Sequence, residues 1–217
     1  MFLVNHRTQG KIMHVIRRSV AALLAASLVS TGAAAQQARG RQAAPRATTV
    51  IVVRHAEKVT SNPLNQDPHL TQAGRQRALA LYQVLKGRHV DAIITTQLKR
   101  TKETAQPTAD SLRLVPEQVH MGHDQQASAA EVVQLIRTRH AGQTVLVVGH
   151  STTVNKIIAA LGGPALGDVC ESAFSNLFTL VLPGTGTPQF QHLHYGAADP
   201  PAHECENGIH VEHHDNH

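Results

Sequence analysis

The sequence predicts an α/β domain in three layers, a largely parallel sheet flanked by helices. Three observations carry that prediction. Strand-like and helix-like segments alternate along the chain. The strand-like segments are unbroken β-branched apolar runs, such as Val50 to Val53, which suit strands covered on both faces. Between them, apolar residues recur at helical spacing, as at Ala78, Leu81, Tyr82 and Leu85.

The elements follow in order. The first strand starts at Thr48 and runs through Val53. Ser61 to Pro68, with Asn, Asp and two prolines, reads as a loop. Thr71 can cap a helix reaching about Lys86, which Gly87 closes. Val90 to Thr95 is a second buried strand. Lys99 to Leu112 is a second helix, bent or interrupted by Pro107. Leu114 to Val119 is a weaker strand and Ala129 to His140 a third helix. Thr144 to Val148 repeats the composition of the first strand. Ser151 can cap a helix through Leu161, ended by Gly162 and Gly163. Asn176 to Leu182 and Phe190 to His194 alternate as final strands.

The ends of the chain have a different character. Arg17 and Arg18 precede a short apolar run, Ser19 to Val29, and then the small residues Thr31 to Ala35. A charged start, an apolar middle and an A-x-A site form the pattern of a secretory signal, with Met13 a possible start and cleavage after Ala35. A retained membrane anchor is the alternative, but the run falls short of the ~20 residues a span needs. The expected layout is residues 1–35 as signal, 36–46 as a flexible lead-in, 47–195 as the folded domain and 196–217 as a His-rich, disordered tail.

The chain holds 20 basic and 15 acidic residues, and four of the basic ones lie in the signal. The remainder therefore carries 16 against 15, a formal charge of +1. The basic character belongs to the leader and does not argue for a nucleic-acid partner. Aromatic residues, at 3 %, are also too few to stack on bases. After signal cleavage no membrane partner is expected.

The chemistry gathers at the strand ends, where open α/β sheets bind ligands. The first strand ends in Arg54-His55. The second ends in Thr95-Thr96-Gln97-Leu98-Lys99-Arg100, and the strand at Thr144 ends in Gly149-His150-Ser151. A single His or Arg in such a place is ordinarily structural or solvated. Two histidines and two arginines on one rim form a coherent set. Guanidiniums grip phosphoryl oxygens with forked, charge-assisted hydrogen bonds. A neutral imidazole with its second nitrogen fixed by an acceptor can attack phosphorus. A second imidazole, if protonated, stabilises the growing charge. Helix amides near Ser151 would add positive potential.

Arg54-His55-Ala56-Glu57 after a buried strand resembles the RHG signature of the histidine phosphatase superfamily, the phosphoglycerate-mutase-like fold. "TTQLKRTKETA" (Thr95 to Ala105) is similar to its second-arginine segment, and "VLVVGHS" (Val145 to Ser151) to its second-histidine segment. "HLTQAGRQRA", between the first two, also looks typical. The resemblance spans about Thr48 to Leu182. It implies a phosphatase that needs no metal or other cofactor, with His55 as the nucleophile that becomes phosphohistidine. Arg54, Arg100 and His150 would bind the phosphoryl group of a small phosphorylated substrate. Ala56 stands where many members have Gly. The family's general acid has no clear match: "PEQVHMGHDQQ" offers Glu117 and Asp124, Glu57 is nearer in sequence, and no acid follows His150 directly. Glu57 and Asp124 are the candidates for protonating the leaving group. A substrate with a good leaving group would need neither, as in the small phosphohistidine-phosphatase-like members.

Two features stay open. Cys170 and Cys205 would pair in an oxidising compartment or remain idle thiols. The tail carries His203, His210, His213, His214 and His217, beyond His192 and His194. These could bind Zn, Cu or Ni adventitiously, or form a merely polar tail. The rival to an exported, periplasmic or secreted phosphohydrolase is a non-catalytic phosphate- or metal-binding protein.

Overall fold

The structure, a computed structural model, describes residues 46–200. The expected signal, lead-in up to residue 45, Cys205 and the histidines from His203 onward lie outside the described residues. Among the described residues, six strands and four helices follow one another as β1 (Thr48–Arg54), α1 (Gln72–Leu85), β2 (Ala92–Thr96), α2 (Lys99–Leu112), β3 (Glu117–Val119), α3 (Gln125–Arg139), β4 (Thr144–Gly149), α4 (Val154–Ala160), β5 (Asn176–Leu182) and β6 (Gln189–His194). They form one sheet of order β3-β2-β4-β1-β5-β6. β3, β2, β4 and β1 run parallel, β5 is antiparallel to β1, and β6 is antiparallel to β5.

Strand alternation divides the core between the two faces of this sheet. Val50, Val52, Val145, Val147, Phe178 and Leu180 pack on one side with Val132, Ile136, Ile157 and Ile158 from α3 and α4. Ile51, Val53, Leu146, Val148 and Leu177 pack on the other side with Leu81, Leu85, Ala105 and Ala109 from α1 and α2. Each fully buried aliphatic side chain contributes roughly 1.5–3 kcal/mol. Burial on both faces explains why β1 and β4 are unbroken apolar runs rather than alternating ones.

Thr71 caps α1 by accepting from the Gly74 amide, and Gly87 follows at φ +86. α2 runs without interruption through Pro107. α3 starts four residues earlier than its apolar spacing indicates, because Asp124 caps it by accepting from the Ala127 amide. α4 starts two residues later than expected, at Val154, with Thr153 at its cap position. Ser151 therefore caps no helix.

The region past β6 is anchored as far as Asp199. That carboxylate accepts from the Phe174 and Ser175 amides at 2.8 and 3.0 Å and from the Ser175 hydroxyl at 2.6 Å. Among the described residues no helix is long and apolar enough to cross a membrane.

Candidate active site

The parallel register of β1 and β4 builds the site. Arg54 pairs with Gly149, and the His55 amide extends the ladder to the Gly149 carbonyl at 3.0 Å. The next residue of each strand is a histidine, so the two imidazoles emerge side by side. Their ring centroids lie 5.3 Å apart at 65°, and both side chains are buried. β2, on the far side of β4, ends in Thr96, whose Oγ1 lies 3.1 Å from His150 Nε2. The Ala56 amide donates to Thr104 of α2 at 2.9 Å, tying the first motif to the second.

His55 Nδ1 lies 2.8 Å from the Ala56 carbonyl oxygen. A carbonyl only accepts, so Nδ1 carries the proton and Nε2 keeps its lone pair. Burial, chiefly, with the charges of Arg54, His150 and Arg100, holds the His55 imidazole down to about 2. His150 is held to about 3, again mainly by burial, with Arg100, Arg54 and Lys58 adding to the effect. Both rings are neutral at pH 7. His150 is thus not a standing cation in this site, and a proton there would have to be drawn in by a bound anion.

Arg54 is 2 % exposed. Its Nη1 donates to the carbonyls of Cys170 at 2.7 Å and Ala173 at 3.3 Å, and its guanidinium lies 4.3 Å from the Phe174 ring centre. Its Nη2 donates to Glu171 Oε2 at 2.6 Å. Arg100, the second residue of α2, donates from Nη1 to the Gln66 carbonyl at 3.4 Å. The Nε atoms of Arg54 and Arg100 are both buried without a partner. Such groups are costly unless something accepts from them.

Glu171 is the residue that sequence reasoning missed. It follows α4 in a stretch without periodicity, 20 residues after Ser151, and no spacing signals it. Its carboxylate joins Arg54 to the Ser151 hydroxyl, which donates to Oε1 at 2.5 Å. Burial alone would raise its pKa. The Ser151 hydroxyl, Arg54 and Lys58 outweigh that and hold the carboxyl below its ordinary value.

The acids singled out from sequence are employed elsewhere. Glu57 Oε1 accepts from Arg77 Nε at 2.9 Å and lies 2.9 Å from its Nη2. Arg77 also donates to the carbonyls of Tyr195 and Ala197, so this pair fastens the chain after β6 to α1. Asp124 is the α3 cap already described. Glu117, at the amino start of β3, pairs with Arg139 at 2.8 Å and His140 at 2.9 Å, at the opposite end of its strand from the rim. The structure thus places Glu57 in an ion pair with Arg77 and Asp124 at the cap of α3. Among the described residues no group of three or more His, Cys, Asp or Glu is placed to hold a metal ion.

Residues 50–122 match the family model described as "Histidine phosphatase superfamily (branch 1)". Comparison with curated proteins returned no match. Similar solved structures include YhfR of Bacillus stearothermophilus, at 24 % identity and TM-score 0.51, covering 75 % of this chain and 98 % of that one. The protein histidine phosphatase SixA, complexed with tungstate, is similar at 19 % identity and TM-score 0.53, over 67 % of this chain and 96 % of that one. A mycobacterial glucosyl-3-phosphoglycerate phosphatase is similar at 19 % identity and TM-score 0.51, over 70 % and 100 %. These likenesses show the phosphoglycerate-mutase-like fold. Over residues 50–122 the chain is thus similar to the histidine phosphatase superfamily.

Proposed function

We propose that this chain is an exported, metal-independent phosphohydrolase that cleaves a small phosphorylated compound through a phosphohistidine on His55. One observation carries the reading. A neutral imidazole with its Nε2 lone pair preserved stands beside a second imidazole, under the charge of two guanidiniums whose Nε–H groups have no acceptor. An anion with several oxygens fits that unfilled demand. The family and the phosphatase names of its structural neighbours support it.

In the first step, His55 Nε2 forms a bond to phosphorus as the bond to the leaving oxygen breaks, and that oxygen takes the electron pair and then a proton from solvent water. In the second, water attacks phosphorus, inorganic phosphate departs, and the imidazole recovers its lone pair. Arg54 and Arg100 counter the charge on the phosphoryl oxygens throughout, the main demand of such a transfer. The signal-like leader supports export, and with it a periplasmic or secreted location.

The test is a panel of phosphate esters with and without chelator. His55→Ala should lower kcat/KM by at least about a thousandfold. Rapid quenching of the native protein should trap an acid-labile, base-stable phosphoenzyme that the variant lacks. Undiminished turnover by His55→Ala would remove the nucleophile.

A further inference from the structure

Six of the nine residues around a cavity of about 360 Å3 beside Arg100 are polar or cationic: Lys58, Thr60, Asn62, Asn65, Gln66 and Arg100. That volume suits a small molecule. Arg100 belongs both to this cavity and to the imidazole pair, on which its charge acts. Whatever is bonded to a phosphoryl group held by Arg100 therefore has this cavity within reach.

The enclosing loop is preformed. Lys58 bridges to Leu70, and the Val59 amide donates to the His69 carbonyl at 2.9 Å. The side-chain oxygens of Asn62 and Asn65 accept from the Leu64 and Asp67 amides at 3.0 and 3.1 Å. Asp67 Oδ1 accepts from the Lys99 amide at 2.8 Å, pinning the loop to the start of α2. The remaining polar capacity of the cavity is donor-rich: two amide NH2 groups at Asn62 and Asn65, one at Gln66, and two cations. Lys58 is half-buried and makes no hydrogen bond or ion pair with any described residue. Its charge is felt at His150 and Glu171. A partly desolvated ammonium gains when an anion joins it.

We infer that this cavity takes the leaving group and that Lys58 binds a second anionic group on it. The substrate class is then a small phosphomonoester carrying a carboxylate or a further phosphate beyond the ester oxygen. This rests on the proposed function for the site, and the experiment separates the two.

O-phosphoserine and O-phosphoethanolamine differ by one carboxylate. Calorimetric titration of His55→Ala, which cannot turn them over, should show phosphoserine binding about tenfold tighter. Adding Lys58→Gln should bring that ratio to within about threefold of unity. Equal affinities in His55→Ala would overturn the second-anion site. So would a preference that survives Lys58→Gln, including the case where both ligands weaken together, which marks Lys58 as a phosphoryl contact only. A full preference in His55→Ala with no phosphate release from either ester by the native chain would leave the Lys58 site standing and remove the hydrolase reading.

Discussion

At the scale of single residues, Glu171 is the informative one. It places a carboxylate against Arg54 Nη2, a donor that a phosphoryl oxygen would use. An arriving anion has to displace that carboxylate or see it protonated, because two negative groups close together repel. Glu171→Gln should therefore bind inorganic phosphate roughly tenfold more tightly at pH 7, the worth of one charge-assisted contact. Calorimetry measures this directly, and weaker binding would mean that Glu171 orients Arg54 instead of competing for it. Glu57 gives the opposite contrast. Its partner Arg77 is 5 % exposed. Glu57→Gln should cost about 1–3 kcal/mol in denaturant unfolding, by leaving the buried guanidinium with only Asp199, 3.7 Å from Nη2, as a charged partner. It should leave kcat within a few-fold, where a general acid would lose two orders of magnitude or more. The placement of His55, Arg54, His150 and Arg100 on one rim was legible because each ends or follows a strand or opens a helix. Glu171 was not, because a loop acid reaches its partners through the return of the chain, which leaves no trace in local spacing.

At the scale of elements, the close approach of α1 to the segment after His55 stands out. A Cβ on Gly74 would sit 2.2 Å from the Glu57 carbonyl oxygen, which also accepts from the Thr71 amide. Backbone cannot swing aside as a side chain does. Gly74→Ala should destabilise by about 1–3 kcal/mol and lower activity too, since the displaced carbonyl lies two residues from His55. A thermal melt paired with a rate assay checks both. Most elements could be read because apolar runs and periodic faces persist over several residues. α2 matched its expected limits from Lys99 to Leu112 even with Pro107 inside. α4 did not, because Ser151 looks like a cap in sequence while its hydroxyl is drawn to Glu171. β3 shrank to Glu117–Val119, since only three residues find register beside β2.

At the scale of the whole molecule, the buried imidazoles govern acid stability. In an unfolded chain a histidine titrates near 6.5. Folding holds His55 to about 2 and His150 to about 3, while His192 is held to about 4 by burial and by His194. Between those values and about 6.5 the unfolded chain binds protons that the folded one refuses. Stability therefore rises with pH from about 3 to about 6.5 and levels off above it. The urea midpoint should fall steadily from pH 7 to pH 4, and a His55→Gln, His150→Gln double variant should show a shallower slope. A midpoint that stays constant over that range would mean that the rings accept protons within the fold.

The strand order carries one last implication, for biosynthesis. Both sheet neighbours of β1 come from the later half of the chain: β4 begins at Thr144 and β5 at Asn176. A ribosome that has made only the first hundred or so residues has made His55 and Arg100 but nothing for β1 to pair with. The histidine pair forms only when distant segments close onto one another, the slow kind of step in folding. The growing polypeptide is thus chemically silent until its final third has emerged.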